Sequence, residues 1–469
     1  MRPSPQPNYT AGFADKIFQH GEKIALIFGD EKISYAQLDD RIQNRKSTWE
    51  QLGLVSNHLA AIHITPHPDA IISYLAALQA GIPLLVLDPG IPDETQLSLI
   101  EQLGAGWLLR ADQSPKKMKV ASTSCRDDLA LLLSTSGSSG SPKSVMLSYQ
   151  NIYSNAESIA EYLQIQSTDV AITSLPLHYC YGLSVVNSQL QTGAAIVLTE
   201  EPLMSKNFWN EVKAHEVTSL SGVPFHYQML KRLRLESMDL PSIRYLTQAG
   251  GRLPDDDILR FEELCQDKGW SFYVMYGQTE ASPRIAYLPP EALPQAVGCI
   301  GKAIPGGRLI IRDLETRSVI NTVEETGELC YLGPNVMLGY AQKPADLQSN
   351  TFLNELATGD LAEWTVEGWV RITGRSSRLL KIQGKRWQLD QLEFRLKKIF
   401  SDLLAVTGRD DQLVVVLAAD EQQEAMHTYL HRELSIHPTL FRILIHQELP
   451  CLSTGKPNYQ LLIEEAEKR

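Results

Sequence analysis

Between residues 131 and 148 the sequence reads LLLSTSGSSGSPKSVMLS. An aliphatic run ends in small hydroxyl residues and glycines, Thr135, Ser136, Gly137, Ser138, Ser139 and Gly140, closed by Pro142 and Lys143. Glycines let backbone N–H groups converge, hydroxyls add donors, and a lysine adds charge. Such a loop after a buried strand suits a phosphate anion. A polar linker has the same composition, and the loop alone leaves both readings open. Two sharper motifs fail on single residues. The Walker pattern G-x-x-x-x-G-K-[ST], started at Gly137, puts its second glycine at Pro142, which has no N–H and a fixed φ. The nucleophile elbow G-x-S-x-G puts its last glycine at Ser141.

Composition excludes several other chemistries. The six cysteines, at 125, 180, 265, 299, 330 and 451, form no C-x-x-C pair, so neither a zinc site nor a disulfide framework is expected. A formal charge of −12 argues against a nucleic-acid-binding surface. No apolar run reaches the roughly 18 residues of a membrane span. The opening MRPSPQPNYTAGFADKIF lacks the pattern of a signal peptide, and a cytoplasmic protein with reduced thiols is expected.

The elements that must position the loop can be read from punctuation. AALQAGIPLLVLDP predicts a helix ending at Gly81 and then a buried strand; GAAIVLTEEP and VTSLSGVP repeat this near 193–202 and 217–224. Continuous Val/Ile/Leu strands between helices predict a parallel α/β sheet covered on both faces. From about residue 297, short strands with Gly and Pro turns predict an antiparallel sheet or small β-barrel-like part. After GWVRITGR comes a smaller α+β unit, with helical QLDQLEFRLKKIF and EQQEAMHTYLHREL around the strand DQLVVVLAAD. With 469 residues, more than one core is required. The predicted domains are 1–374 and a small C-terminal lid, 375–469.

TSGSSGSPK resembles the signature loop of the adenylate-forming superfamily: acyl- and aryl-CoA synthetases, adenylation domains of peptide synthetases, and luciferases. Four further stretches resemble that family's motifs in its order: YGQTEAS at 276–282, ATGDLAEW at 357–364, GRSSRLLKIQGKRWQLDQLE at 374–393 and LPCLSTGKPNYQLL at 449–462. GIPLLVLDP, LPLHYCYGL, GVPFHYQML and GELCYLGPNVMLGY are weaker matches. The resemblance spans almost the whole chain. It implies a carboxylate ligase that forms acyl-AMP from ATP with Mg²⁺ and passes the acyl group to the thiol of coenzyme A or of a carrier protein's phosphopantetheine.

The resemblance also assigns roles. The loop from Thr135 to Lys143 would grip the β- and γ-phosphates; Thr279 would donate to the α-phosphate and Glu280 would hold Mg²⁺. Tyr276 and Gly277 would flank the adenine and the acyl end, and Gly250, Gly251 and Arg252 would border adenine, although many relatives have Pro at the last position. Asp360 would hold the ribose hydroxyls and Arg375 the ribose or phosphate. Lys456 would bridge the attacking carboxylate and the α-phosphate. Gly384 would line the path of the thiol, and Ser377 stands where relatives carry an acidic or lysine pivot. His178 and Tyr181 would gate the acyl pocket, and Phe225, Tyr227 and the segment 247–251, which contains Ala249, would form its walls. Its partner is a small carboxylic acid. No Asp or Glu lies between Thr173 and Leu198 to pair with an ammonium, which disfavours α-amino acids. A stand-alone adenylating enzyme serving only a carrier protein, an idle nucleotide-binding regulator and a plain NTPase are the alternatives. Intact Lys143, Glu280, Asp360 and Lys456 oppose the second, and Pro142 opposes the third.

Overall fold

The computed structural model describes residues 12–111, 113–135, 143–350, 352–450 and 458–468; the side chains of residues 135 and 386 are not among those described. The chain divides into two compact units, Met1–Leu309 with Tyr331–Leu356, and Ile310–Cys330 with Ala357–Arg469.

The first unit holds a sheet whose centre is parallel, Leu129–Thr135, Leu84–Leu87, Ala60–His63 and Trp107–Leu109 side by side. These strands are aliphatic on both faces because helices cover both, and Leu85, Leu132 and Met146 are almost fully buried. The strand Lys143–Ser148 returns antiparallel against Leu129–Thr135, and Gly339–Ala341 adds antiparallel to it at the edge. Ser148 then caps the helix Tyr149–Tyr162: its hydroxyl accepts from the Asn151 N–H, and the Asn151 side chain accepts from the Ser148 N–H. The Gly81 stop appears as read. Helix Pro68–Ala80 ends at Gly81 with φ 69°, and Leu84–Leu87 follows.

A second sheet in the same unit runs parallel from Ile24–Phe28 through Ala195–Val197, Val170–Ile172, Ser219–Gly222 and Tyr245–Gln248 to Ser271–Gly277. Arg284–Leu288 and Cys299–Ala303 continue it antiparallel. The shift from parallel to antiparallel comes at 284, somewhat before the expected 297. The cause is the tight reversal after Gly277, which needs no crossover helix.

The second unit contains the antiparallel pair Leu356–Trp364 and Val370–Arg375, and Val319–Ile320 pairs with the strand ending at Arg312. Beyond them Leu379–Ile382 and Lys385–Gln388 form a hairpin around Gln383 and Gly384, both with positive φ (52° and 75°). Positive φ at both central residues is the twist a two-residue hairpin turn requires. Helix Leu389–Lys397, three strands (Leu403–Arg409, Gln412–Leu417, Phe441–Ile445) and helix Tyr459–Glu467 complete the α+β unit. The helical tract before residue 434 is a short α-helix, Gln423–Thr428, running into a π-turn at Tyr429–Glu433.

Arg378 fastens this unit to its own start. Its guanidinium lies 2.5 Å from Asp390 and 3.1 Å from Glu393, donates to the Val406 carbonyl, and sits 4.4 Å from the Tyr459 ring centroid. Arg378→Ala would take the cation from the partly exposed Asp390 and remove a donor to the Val406 carbonyl, while Glu393 keeps Lys397 at 2.6 Å. A loss of about 2 kcal/mol is expected, measured by chemical denaturation. A loss below 1 kcal/mol would mean that the pairings add nothing.

Candidate active site

Thr135 and Lys143 are cross-strand partners at one end of the first sheet. Ser136, Gly137, Ser138, Ser139 and Gly140 lie outside the described residues, as does Lys456. The described neighbours of the loop are informative. Pairing of Gly339–Ala341 with Lys143–Ser148, Tyr340 opposite Val145, brings the Tyr340 ring under Lys143, whose Nζ is 5.5 Å from its centroid. The Tyr340 hydroxyl donates to Oε1 of Glu280 at 2.9 Å. Burial and the carboxylate together push that phenol well above its usual range. A cation, an aromatic ring and a carboxylate thus meet from three distant segments.

Thr279 and Glu280 stand in a single 3₁₀ turn, Thr279–Ala281, just past the carboxyl end of Ser271–Gly277. This is where ligands gather in open parallel sheets. The Met337 N–H binds the Glu280 carbonyl at 2.9 Å, and Asn335 donates to the Ala281 carbonyl at 2.6 Å, so the turn is pinned through its backbone. The Thr279 hydroxyl meets Sγ of Cys180 at 3.3 Å. Gly277 has no room for a side chain: a Cβ there would come within 1.9 Å of the Pro283 carbonyl oxygen. Gly250, with φ 80°, lies so close to Tyr179 that a Cβ would be 2.7 Å from its hydroxyl. Gly251 packs near Pro224, and Arg252 is exposed beside Asp255. Ala249 is buried at the end of its strand, where its N–H binds the Gly222 carbonyl. Tyr276 is half-buried on the strand that leads into Gly277.

Helix Cys180–Thr192 supplies the proposed acyl-pocket face. Tyr181 is fully buried, its hydroxyl bound to Thr247, and burial raises its pKa. His178 precedes the helix with Nε2 3.5 Å from Asp88; burial lowers its pKa, with Asp88 pulling the other way. Phe225 is 62% exposed, and Tyr227, read from sequence as a wall of the same pocket, is packed between Phe261 and Phe272 in the core.

In the second unit, Asp360 and Arg375 face each other across their strand pair, with Arg375 Nε 3.0 Å from Asp360 Oδ1. Gly384 is the exposed hairpin tip.

Sequence reasoning passed over Tyr340, Cys180, Asp88 and Arg284. Tyr340 and Asp88 stood in plain view in MLGY and VLDP, but only sheet pairing assigns them a neighbour. Glu280 is one carboxylate, and among the described residues no cluster of three metal-ligating side chains occurs. That fits Mg²⁺, which takes one or two carboxylates and completes its shell with phosphate oxygens and water. Tyr340→Phe removes the donor that aims Glu280. The expected outcome is an intact fold and a rise of about tenfold in the magnesium concentration giving half-maximal turnover. An unchanged magnesium dependence would separate Tyr340 from the metal.

The comparisons with known proteins bear on family and fold. The AMP-binding enzyme family matches over residues 13–124 and 105–341. The 2-succinylbenzoate–CoA ligase of Bacillus subtilis (strain 168) is 29% identical over 384 residues, 76% of this chain and 76% of that protein. Tyrocidine synthase 3 of Brevibacillus parabrevis is 25% identical over 96% of this chain, which spans only 8% of that much longer protein. Among solved structures, O-succinylbenzoate coenzyme A synthetase from Bacillus subtilis with AMP superposes with a TM-score of 0.77 at 24% identity, covering 97% of this chain and 98% of that one. ATP-bound MatB from Rhodopseudomonas palustris gives 0.75 at 22% identity, covering 97% and 99%. With its matched residues extending over both sheets of the first unit and the Thr279–Glu280 turn, the chain belongs to the AMP-binding enzyme family.

Proposed function

We infer that this protein activates a carboxylic acid with ATP and Mg²⁺ and hands the acyl group to a thiol. The observation that carries the reading is the meeting of Lys143, Tyr340 and Glu280 at the root of the 136–142 loop. The reaction joins two anions, a carboxylate and the α-phosphate, so the protein's task is to supply cations and donors. A carboxylate oxygen bonds to the α-phosphorus as the bond to pyrophosphate breaks. The thiol sulfur then bonds to the acyl carbon as the bond to AMP breaks. No protein nucleophile is required. Lys143 and the loop hold the β- and γ-phosphates, Thr279 donates to the α-phosphate, and Asp360 accepts from the ribose hydroxyls. Glu280 binds the metal ion, which neutralises phosphate charge when bound. Lys456 adds a positive charge between the reacting groups.

Coenzyme A is the preferred acceptor, because the 2-succinylbenzoate–CoA ligases match this chain over most of their own length. A carrier-protein thiol is the second reading, favoured by the 96% of this chain that matches the peptide synthases. We propose further that 375–469 works as a lid turning about Ser377. Asp390 grips both sides of that residue, Oδ1 holding the Arg378 side chain and Oδ2 accepting from the Arg375 N–H at 3.2 Å. A turn about Ser377 keeps the first contact and releases the second.

The test is pyrophosphate exchange with a panel of aliphatic, aromatic, keto and hydroxy acids, 2-succinylbenzoate included, followed by thioester formation with coenzyme A and with a holo carrier protein. One amine-free acid should give a clear signal and α-amino acids none. An amino acid as the best substrate would overturn the choice of acid class, and exchange with no acid would overturn the ligase reading. Lys456→Ala should slow acyl-AMP formation by about 100-fold or more. Thioester formation from supplied acyl-AMP should stay near wild type. Equal loss of both half-reactions in a folded variant would remove Lys456 from its assigned role.

A further inference from the structure

Arg284 is 2% exposed, yet among the described residues it forms no ion pair. Its Nε has no hydrogen-bond partner, and its Cζ lies 4.6 Å from the Tyr181 ring centroid. The less buried Arg244 and Arg378 differ, since each meets a carboxylate. Arg244 reaches the buried Asp169 at 2.5 Å, and Arg378 has Asp390 and Glu393. A cation–π contact offsets only part of the desolvation of a buried guanidinium. Tyr162 adds a neutral hydroxyl contact, so a counter-charge would have to come from an anion brought in from outside.

The surroundings of Arg284 indicate where that anion would come from. The guanidinium borders a cavity between the helices Tyr149–Tyr162 and Cys180–Thr192 and the second sheet, lined by Tyr162, Tyr181, Ser184, Ser221, Thr247 and others. None of its lining residues is acidic, and Arg284 is the one charged group among them. The cavity has room for about one water molecule, the scale of a carboxylate oxygen and too small for a phosphate. Ser221 and Thr247 lie within two residues of the carboxyl ends of their strands, about 3–7 Å in. The turn that carries Thr279 stands beyond those ends, and Cys180, which touches Thr279, adjoins Tyr181, which covers Arg284. An acid with its reacting carboxylate at Thr279 therefore extends its far end toward Arg284.

We propose that Arg284 selects a dicarboxylic acid, binding the carboxylate that is not activated. This rests on the ligase reading above and names its substrate class. Arg284 is a specificity-determining residue and takes no part in bond making.

The experiment compares diacids, from succinate to adipate and aryl diacids, with their monoamides, which keep size and shape but lose one negative charge. In wild-type enzyme the best diacid should exceed its monoamide by about 100-fold in kcat/KM for pyrophosphate exchange. Arg284→Met should cut kcat/KM for the diacid by about 100-fold and change that for the monoamide by less than about threefold; Arg284→Lys should restore part of the preference. The preference of wild-type enzyme stands without any variant, should Arg284→Met fail to fold. A monoamide or plain monoacid that equals or exceeds the diacid overturns the inference and leaves the ligase reading intact. So does an equal loss on both substrates in a folded Arg284→Met. Exchange with no acid overturns both.

Discussion

The hydrogen bond from Tyr340 to Glu280 joins two sheets that share no strand. Glu280 follows the last parallel strand of one, and Tyr340 lies on the edge strand of the other, next to the strand that begins with Lys143. The backbone bond from Met337 to Glu280 lies in the same seam. A site that must gather positive charge around phosphates while holding a carboxylate for a metal faces a conflict. An unrestrained Lys143 and Glu280 would pair with each other and cancel. A tyrosine between them, its ring toward the lysine and its hydroxyl toward the glutamate, occupies both without neutralising either.

Much of the fold is legible because its punctuation is local. Gly81 and Gly193 end helices through positive φ, and a helix-capping Ser148 starts the next one. Aliphatic strands between such stops have few other destinations than a covered parallel sheet. The same locality explains what could not be read. Tyr340 acquires its meaning from a strand 195 positions away and from a carboxylate 60 positions away. Tyr227 sits in a motif that suggested a pocket wall, but its helix turns the ring toward Phe261 and Phe272. Phe225, two residues earlier, points away from that core. Helical spacing places such neighbours on different faces, and the sequence does not say which face is inside.

Arginines divide by what answers them. Arg244 and Arg378 are answered by carboxylates from their own units, and this makes them part of the scaffold. The first ties a strand's start to the loop before another strand; the second fixes where the C-terminal α+β unit begins. Arg284 is answered only by aromatic rings and hydroxyls. A chain that needed a positive charge only for packing would serve itself better with a neutral side chain of similar volume, since removing a buried ion pair in favour of apolar groups is often neutral or stabilising. Retaining the charge without its counter-ion makes physical sense where the counter-ion arrives with a ligand.

The same reasoning bears on the choice of acid from the opposite side. An ammonium near helix Cys180–Thr192 would need a carboxylate; the fold brings Asp88 to His178, just before that helix, and no acidic residue lines the cavity deeper in. Deeper in, an ammonium would meet the Arg284 guanidinium with no acidic residue in the cavity lining to offset the repulsion. Like charges forced together in a desolvated space reject a ligand more strongly than a missing contact does. As the proposed specificity residue, Arg284 would work twice, drawing a second carboxylate to the end of the pocket and repelling an ammonium.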